Sequence, residues 1–446
     1  MLYLCYAAFL SLIWEGCALN LLLQSCNLID HTGLVTAGQD LLIREGRIAA
    51  RGPGLTPPDP DTAVLDCSTL FLSPSFAVLH AHSPMHILRG LAEDVSIDDW
   101  FNREIWPYES KILPEDIYWG ARLCCAELAD HGVTAFADHY FHGEEIARAA
   151  GETGIRADIA GTVFAFDGDI RPELDPVLAL MDRYRDDPMV SIRIGPHSPY
   201  ICSPAVLRSL VEAARSAGCG IHLHMAETRA QVEQSLQAHG KTPFAVAAEA
   251  GCFSVPCIAA HSLWIREEDL TYLNEDTYIP VSPKTYLKLG MGRGEIWERW
   301  QRVNLCIGTD GAASSNTVDP LEQARLFALL GKWEDRAEDY TLREVWQLLM
   351  RGHEALPFGT GRLEPGAAAD LIFWDLDTVQ TAPLYNPLAA ILYSADSRNI
   401  RHVMAAGAFV KRDGRLCLDT APLLQNAARC AREISVRGKG VSRLYL

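Results

Sequence analysis

The sequence predicts an α/β fold: a (β/α)8 barrel with a small β-sandwich domain built from both chain ends. Three observations predict it. From about residue 76 to about residue 311, eight short apolar runs, each closing on polar residues, alternate with helical segments. The stretches on either side of that region are short strands broken by Gly, Pro and charged turns. A chain of 446 residues has room for a large domain and a smaller one.

In chain order, residues 1–18 (MLYLCYAAFLSLIWEGCA) are apolar enough to resemble a signal-peptide core. They have no basic leading region and no A-x-A site, and the run is short for a membrane span. The expectation is an N-terminal apolar extension outside a fold that begins near Leu19, in a cytoplasmic protein. Residues 19–75 form the N-terminal half of the sandwich. LLLQSCNLID is a strand, DLLIREGRIAARG a hairpin turning at R-E-G-R, GPGLTPPDPD a loop, and AVLDCSTLFLSP one further strand.

The barrel spans residues 76–362. Its strands are FAVLHAH, GVTAFADHY, GIRADIAGTVF, VSIRIGPHS, GCGIHLHMAE, CIAAHS, TYIPVSP and NLCIGTDG. Helices such as PEDIYWGARLCCAELADHG and SPAVLRSLVEAARSAG lie between them, the second opening with Ser203 as N-cap before Pro204. The C-terminal half of the sandwich, residues 363–420, holds GRLEPGAAADLIFWDLD and RHVMAAGAFVKRDGRL, and residues 421–446 are a C-terminal segment. Neither β-rich end can bury a core alone, so the two should pair.

The formal net charge of -18 and the lack of any Lys/Arg run argue against a nucleic-acid partner. The thirteen cysteines are scattered, without a C-x-x-C, as free thiols of a reducing compartment are. Nothing in the chain points to a membrane partner.

The first barrel strand runs an apolar stretch, FAVL, into His80 and His82. Alternate residues of a strand share a face, so both imidazoles point the same way, which is half of a metal site. A barrel of this type carries function at the C-terminal ends of its strands, and three more ends carry suitable groups. They are His224 with Glu227 behind it, His261, and Asp310. His222 shares a face with His224, so spacing alone leaves open which of the two serves.

H-A-H, H-M-A-E-T, A-A-H and G-T-D-G-A-A-S-S-N together resemble the amidohydrolase superfamily. The likeness is to the branch of S-adenosylhomocysteine/methylthioadenosine deaminases and triazine hydrolases. It runs from about Leu21 to about Leu416 and includes MHILRGLAEDVSIDDWF, IWPYES and GRLEPGAAADLI. The resemblance implies one divalent ion per chain, zinc first and iron(II) second, held by His80, His82, His224 and Asp310. It leaves His222 a structural role. Asp310 would also take a proton from water, Glu227 would protonate a ring nitrogen, and His261 would steer the attacking oxygen. His197 of P-H-S-P-Y would contact a base and Glu109 of I-W-P-Y-E the hydroxyls of a ribose, with Trp106 walling the pocket.

Two departures bear on the substrate. Relatives read H-N-P-x-S-N-x-K-L after the seventh strand. This chain reads V-S-P-K-T-Y-L-K-L, so Val281 stands for the His, Thr285 and Tyr286 for Ser-Asn, and Lys284 and Tyr286 should reach the pocket mouth. The arginines that hold a homocysteine tail after the third strand are missing between Arg156 and Arg171. The expected activity is hydrolytic deamination of an amino-substituted heterocycle, a purine- or nucleoside-like compound, with release of ammonia. The alternatives are hydrolysis of chloro- or alkylamino-triazine-like or amide-bearing rings, and a non-catalytic barrel scaffold. Its partner is thus a small heterocyclic substrate, and the resemblance implies a homo-oligomer. The cytidine-deaminase set of H-x-E with P-C-x-x-C is absent from the sequence.

Overall fold

A computed structural model describes residues 20–334 and 336–442. The apolar extension expected over residues 1–18 lies outside the described residues. The chain forms two compact units. One runs to Ser75 and takes in Phe358–Leu418; the other comprises Phe76–Pro357 and the chain from Asp419 on.

The first unit is a nine-stranded mixed sheet. Its N-terminal strands (Leu21–Ile29, Val35–Arg44, Arg47–Gly52, Ala63–Asp66 and Phe71–Pro74) join the C-terminal ones (Leu371–Trp374, Ile400–Ala405, Ala408–Arg412 and Arg415–Leu416). They join where Phe71–Pro74 pairs antiparallel with Leu371–Trp374, Leu72 opposite Phe373. Leu23, Leu28, Ile43, Leu72 and Phe373 are wholly buried in the core that both chain ends build. The hairpin turns at Glu45 and Gly46, both with positive φ, as a two-residue turn between twisted strands requires. AVLDCSTLFLSP is two strands, not the single one expected. Asp66 Oδ1 accepts from Ser68 N (2.9 Å) and Leu70 N donates to Cys67 O (2.9 Å), so a turn stabilised by the aspartate breaks the run.

The second unit is the barrel. Its strands are β1 (Phe76–Ala81), β2 (Val133–Tyr140), β3 (Arg156–Val163), β4 (Val190–Pro196), β5 (Ile221–Met225), β6 (Cys257–His261), β7 (Thr277–Val281) and β8 (Asn304–Ile307). Each pairs parallel with the next in sequence order. The ring closes where His80 O accepts from Thr309 N (2.9 Å) and Asp310 N (3.1 Å), beside a parallel bridge between Ala81 and Asp310. Strands buried on both faces must be largely apolar, and every residue of β1, β2 and β5 is buried.

Helix α1 (Pro114–Asp130) starts where Asp116 Oδ2 accepts from Leu113 N (2.8 Å). Helix α2 (Pro204–Ala217) starts where Ser203 Oγ accepts from Val206 N (3.3 Å), the expected N-cap. The helix Thr420–Arg437 belongs to this unit and is tied to α1 by Arg437 Nη2 on both oxygens of Asp116 (2.9 and 2.7 Å). All described cysteines are free thiols, and all but Cys219 and Cys417 are buried. Among the described residues no helix is long and apolar enough to cross a membrane.

Candidate active site

The strand ends converge as the sequence anticipated. His80 lies in β1 and His82 directly follows it, His224 lies in β5 and His261 ends β6, while Asp310 follows β8. All are buried. The atoms of His80, His82 and His224 that could bind a metal lie within 4.8 Å of one another, and so do those of His80, His261 and Asp310. His261 (φ 68°) and Asp310 (φ 59°) both hold the left-handed backbone that bulky residues avoid, a conformation that persists only where its surroundings enforce it. The glycines of G-T-D-G allow the close approach. A Cβ on Gly308 would lie 3.0 Å from His80 Cβ, and one on Gly311 2.8 Å from Met85 Sδ and 3.2 Å from His82 Cβ.

Hydrogen bonds fix how each ring faces the centre. His82 Nδ1 donates to His139 O (2.7 Å) and His224 Nδ1 donates to His197 O (3.0 Å). A carbonyl only accepts, so both rings carry hydrogen on Nδ1, and in the neutral form each has a lone pair on Nε2. Those two Nε2 atoms face each other at 3.2 Å. Two facing lone pairs repel, and a cation bound to both removes the repulsion.

His80 Nδ1 pairs with His222 Nε2 at 2.9 Å, and buried His80 Nε2 has no hydrogen-bond partner among the described residues. Burial pushes His80 well below the ordinary imidazole range and His224 down to about 4, so both rings are neutral near neutral pH. Asp310 Oδ1 lies 3.4 Å from His82 Nε2 and accepts from Gly311 N (2.8 Å), while Oδ2 accepts from Ser314 Oγ (2.9 Å). Burial disfavours its charge, but His82, His261 and these two donors hold it below the usual carboxylate range. Lone-pair imidazoles with one ionised carboxylate, their outer nitrogens tied to a carbonyl or another ring, are a donor set that fits a divalent ion.

Glu227 Oε1 is 3.7 Å from His261 Nε2, and Glu227 Oε2 accepts from Tyr200 Oη at 3.4 Å. Burial raises the Glu227 pKa and lowers that of His261 to about 4. A cavity of about 330 Å3 opens above these groups, bordered by Trp100, Phe101, Trp106, Phe141, Phe164 and Tyr200. Its described lining includes Asp98, Glu109, Glu227 and Asp310 but neither Lys nor Arg. Trp106, 43% exposed, stacks between Phe101 (6.0 Å) and Phe164 (5.9 Å). Phe164 in turn packs on the His197 ring at 4.2 Å. Glu109 is buried and accepts from Tyr140 Oη at 2.6 Å, with burial raising its pKa.

The seventh-strand departure is only partly at the pocket. Lys284 Nζ turns to Glu322 (2.8 Å) and Thr317 (2.9 Å) and is not in the lining, contrary to the expected cation at the mouth. Tyr286 is not at the mouth either: it is buried behind His261. Thr285 does line the cavity.

Three residues escaped the sequence reading. His139 supplies the carbonyl under His82 and also lines the cavity. Asp138, pushed up to about 6 by burial, accepts from Ser83 N (3.0 Å) and the Ser83 hydroxyl and so holds the turn after His82. Tyr200 bonds Glu227. A-D-H-Y closing β2 was the available signal for the first two, since it too ends a barrel strand in polar groups.

A parallel barrel with grouped imidazoles and a carboxylate at its strand ends defines a metal-dependent hydrolase. The chain belongs to the amidohydrolase family, whose family model matches residues 71–410. It is 33% identical over 430 residues to a 5-methylthioadenosine/S-adenosylhomocysteine deaminase of Pelotomaculum thermopropionicum, covering 92% of this chain and 98% of that one. A 5'-deoxyadenosine deaminase of Methanopyrus kandleri is 33% identical over 379 residues, 82% of this chain and 86% of its own. Among solved structures, an adenosine deaminase from Xanthomonas campestris with bound zinc superposes with a TM-score of 0.88 at 28% identity, covering 94% of this chain and 99% of that one. An atrazine chlorohydrolase from Arthrobacter aurescens superposes with a TM-score of 0.84 at 23% identity, covering 92% and 100%, a likeness of fold.

Proposed function

We propose that this chain is a metal-dependent deaminase of a purine-nucleoside-like compound, replacing a ring amine by oxygen with water and releasing ammonia. One observation carries the reading. A buried carboxyl, Glu227, and the His261 ring stand together beside the ion-binding group, at the inner end of an aromatic cavity whose described lining holds no Lys or Arg. The three relatives described above at 28% identity or more are deaminases of adenosine or its derivatives.

His80, His82, His224 and Asp310 would hold one divalent ion, with zinc the first choice since the Xanthomonas structure contains it. Bound there, such an ion supplies Lewis acidity that brings the pKa of a water down to about 7. The chain's own groups divide the remaining work. Asp310, ionised, accepts the proton of the attacking water. Glu227, whose burial favours the neutral acid, gives its proton to the ring nitrogen next to the carbon under attack. His261 hydrogen-bonds the incoming oxygen. The amine leaves as ammonia once it has taken the proton held by Asp310, and the proton remaining on the new oxygen returns to Glu227. Glu109, fixed by Tyr140, would take two sugar hydroxyls, His197 would meet the base, and Trp106 would cover it. The lack of Lys and Arg among the described lining residues favours an uncharged substrate over one ending in a carboxylate or phosphate. A cytoplasmic homo-oligomer without nucleic-acid partners completes the reading.

The test is ammonia release from adenosine, 5'-deoxyadenosine, methylthioadenosine, aminopurines, pterins and aminotriazines, using protein of measured metal content. Release from an adenosine derivative, lost in Glu227→Gln with the metal retained, is the expected result. Chloride or alkylamine release from triazines, with every nucleoside inert, would sink it.

A further inference from the structure

We infer that Tyr286 fixes the His261 ring as the tautomer carrying hydrogen on Nε2, so that His261 meets the reacting centre as a hydrogen-bond donor. The consequence for catalysis rests on the function proposed above; the tautomer does not.

Among the described residues the phenol oxygen of Tyr286 has two hydrogen-bonding neighbours. Ser282 N lies 3.0 Å away, and a backbone amide can only donate, so one oxygen lone pair is taken. His261 Nδ1 lies at 3.3 Å. Tyr286 is 2% exposed, so its own hydrogen has no solvent to turn to. If Nδ1 accepts, every group is satisfied. If Nδ1 carried hydrogen instead, the phenol would receive two hydrogens while its own pointed at nothing, a buried unpaired donor that folded chains avoid. Burial also raises the Tyr286 pKa well above its usual value, which keeps the phenol a donor.

The contrast with the neighbouring rings sharpens the point. His82 and His224 have carbonyls at Nδ1, which force hydrogen onto that atom and leave Nε2 as a lone pair. His261 has a hydroxyl there, already occupied by an amide on its acceptor side, and the outcome inverts. The His261 ring is nearly parallel to that of His224 (5.5 Å, 18°), so similar placements present opposite hydrogen-bond character to the same centre. With hydrogen on Nε2, the ring is unsuited to bind a cation through that atom and suited to donate towards Glu227 Oε1, 3.7 Å away, or towards an oxygen between them. Geometry around Tyr286 enforces the arrangement. Val281, at the end of β7, is wholly buried and offers no side-chain polar atom to compete. The tyrosine ring packs edge-on against Trp297 (6.5 Å, 81°). Tyr286 is thus a positioning residue, acting through His261.

The test is nitrogen NMR of the full-length, metal-loaded protein with 15N-labelled histidine, the His261 signals assigned by their loss in His261→Asn. The expected spectrum shows protonated Nε2 and bare, hydrogen-bonded Nδ1 at His261. Tyr286→Phe, which keeps the ring and removes the hydroxyl, should convert that signature to a mixture of tautomers. It should also lower kcat about 10- to 100-fold with KM within about twofold and metal content unchanged. Hydrogen on Nδ1 in the unsubstituted protein overturns the inference, as does a Tyr286→Phe chain with unaltered tautomer and kcat. Should that variant fail to fold, the spectrum of the unsubstituted protein decides alone. Should no nucleoside be deaminated, the proposed function falls while the same spectrum still settles the tautomer.

Discussion

At the scale of residues, His80 differs from His82 and His224 in what holds it. Carbonyls orient His82 and His224, and backbone cannot be substituted away; a side chain, His222, orients His80. Replacing His222 by Phe should leave His80 Nδ1 unpartnered and weaken divalent-ion binding about 10- to 100-fold, measured by competition with a chromogenic chelator. Glu227→Gln, off the ion, should bind it as before. The sequence made the ligand-type residues legible, because strand alternation and barrel topology need no side-chain detail. It did not reveal what stands behind them. His222 reads as a polar residue one alternation from His224, and its bond to β1 crosses the barrel interior, which no local pattern encodes. Tyr286 was visible as a departure and misplaced, since the direction a helix start gives a side chain depends on how that helix docks.

At the scale of elements, close approaches govern where the ion-binding strand ends lie. A Cβ on Gly120 of α1 would come 2.2 Å from Pro84 O, in the turn that follows His82. Gly120→Ala should therefore push that turn outward, costing about 1–3 kcal/mol as other overpacked substitutions do, and lower ion affinity with it. Urea unfolding and the chelator assay would register the two effects. In the sheet unit, His402 Nδ1 accepts from Asp413 N (3.1 Å), and burial brings its pKa down to about 4. The folded ring therefore binds a proton less readily than the unfolded one, so stability is full above pH 6.5 and is lost as pH falls towards 4. This ring's share of the loss should reach about 2 kcal/mol at pH 5, read as the amount by which His402→Gln shrinks the drop in urea stability between pH 7.5 and 5. Strand identity was read well wherever apolar runs ended in polar groups. The turn at Cys67–Leu70 was missed because its signal, Asp66 capping Ser68, sits inside an otherwise continuous apolar pattern.

At the scale of the whole molecule, the chain leaves the sheet unit at Ser75, re-enters it at Phe358 and returns to the barrel unit at Asp419, so the eight barrel strands are inserted between two halves of one sheet. Repetition made this legible: eight like segments flanked by two unlike ones. The closure of the ring was implied by that count, but not the pairing of β8 back onto His80. Ion removal should act on the barrel. At an ion concentration about a hundredfold above Kd, binding adds about 2.7 kcal/mol to the stability of the folded state, and a chelator should lower the barrel's melting transition accordingly while leaving the His402 titration of the sheet unit in place.

The hydrogen bonds from Thr309 and Asp310 to the His80 carbonyl join the barrel's first strand to the last. Along the growing polypeptide these partners are separated by nearly the entire barrel, so a ribosome exposes two histidines long before it delivers the aspartate. Nascent chains ending before β8 would hold imidazoles without their counter-charge, and the finished site appears only when synthesis of the ring is complete. Metal uptake then becomes a late checkpoint of maturation. In refolding experiments, a metal-sensitive dye should respond after the far-ultraviolet signal has already recovered, and not with it.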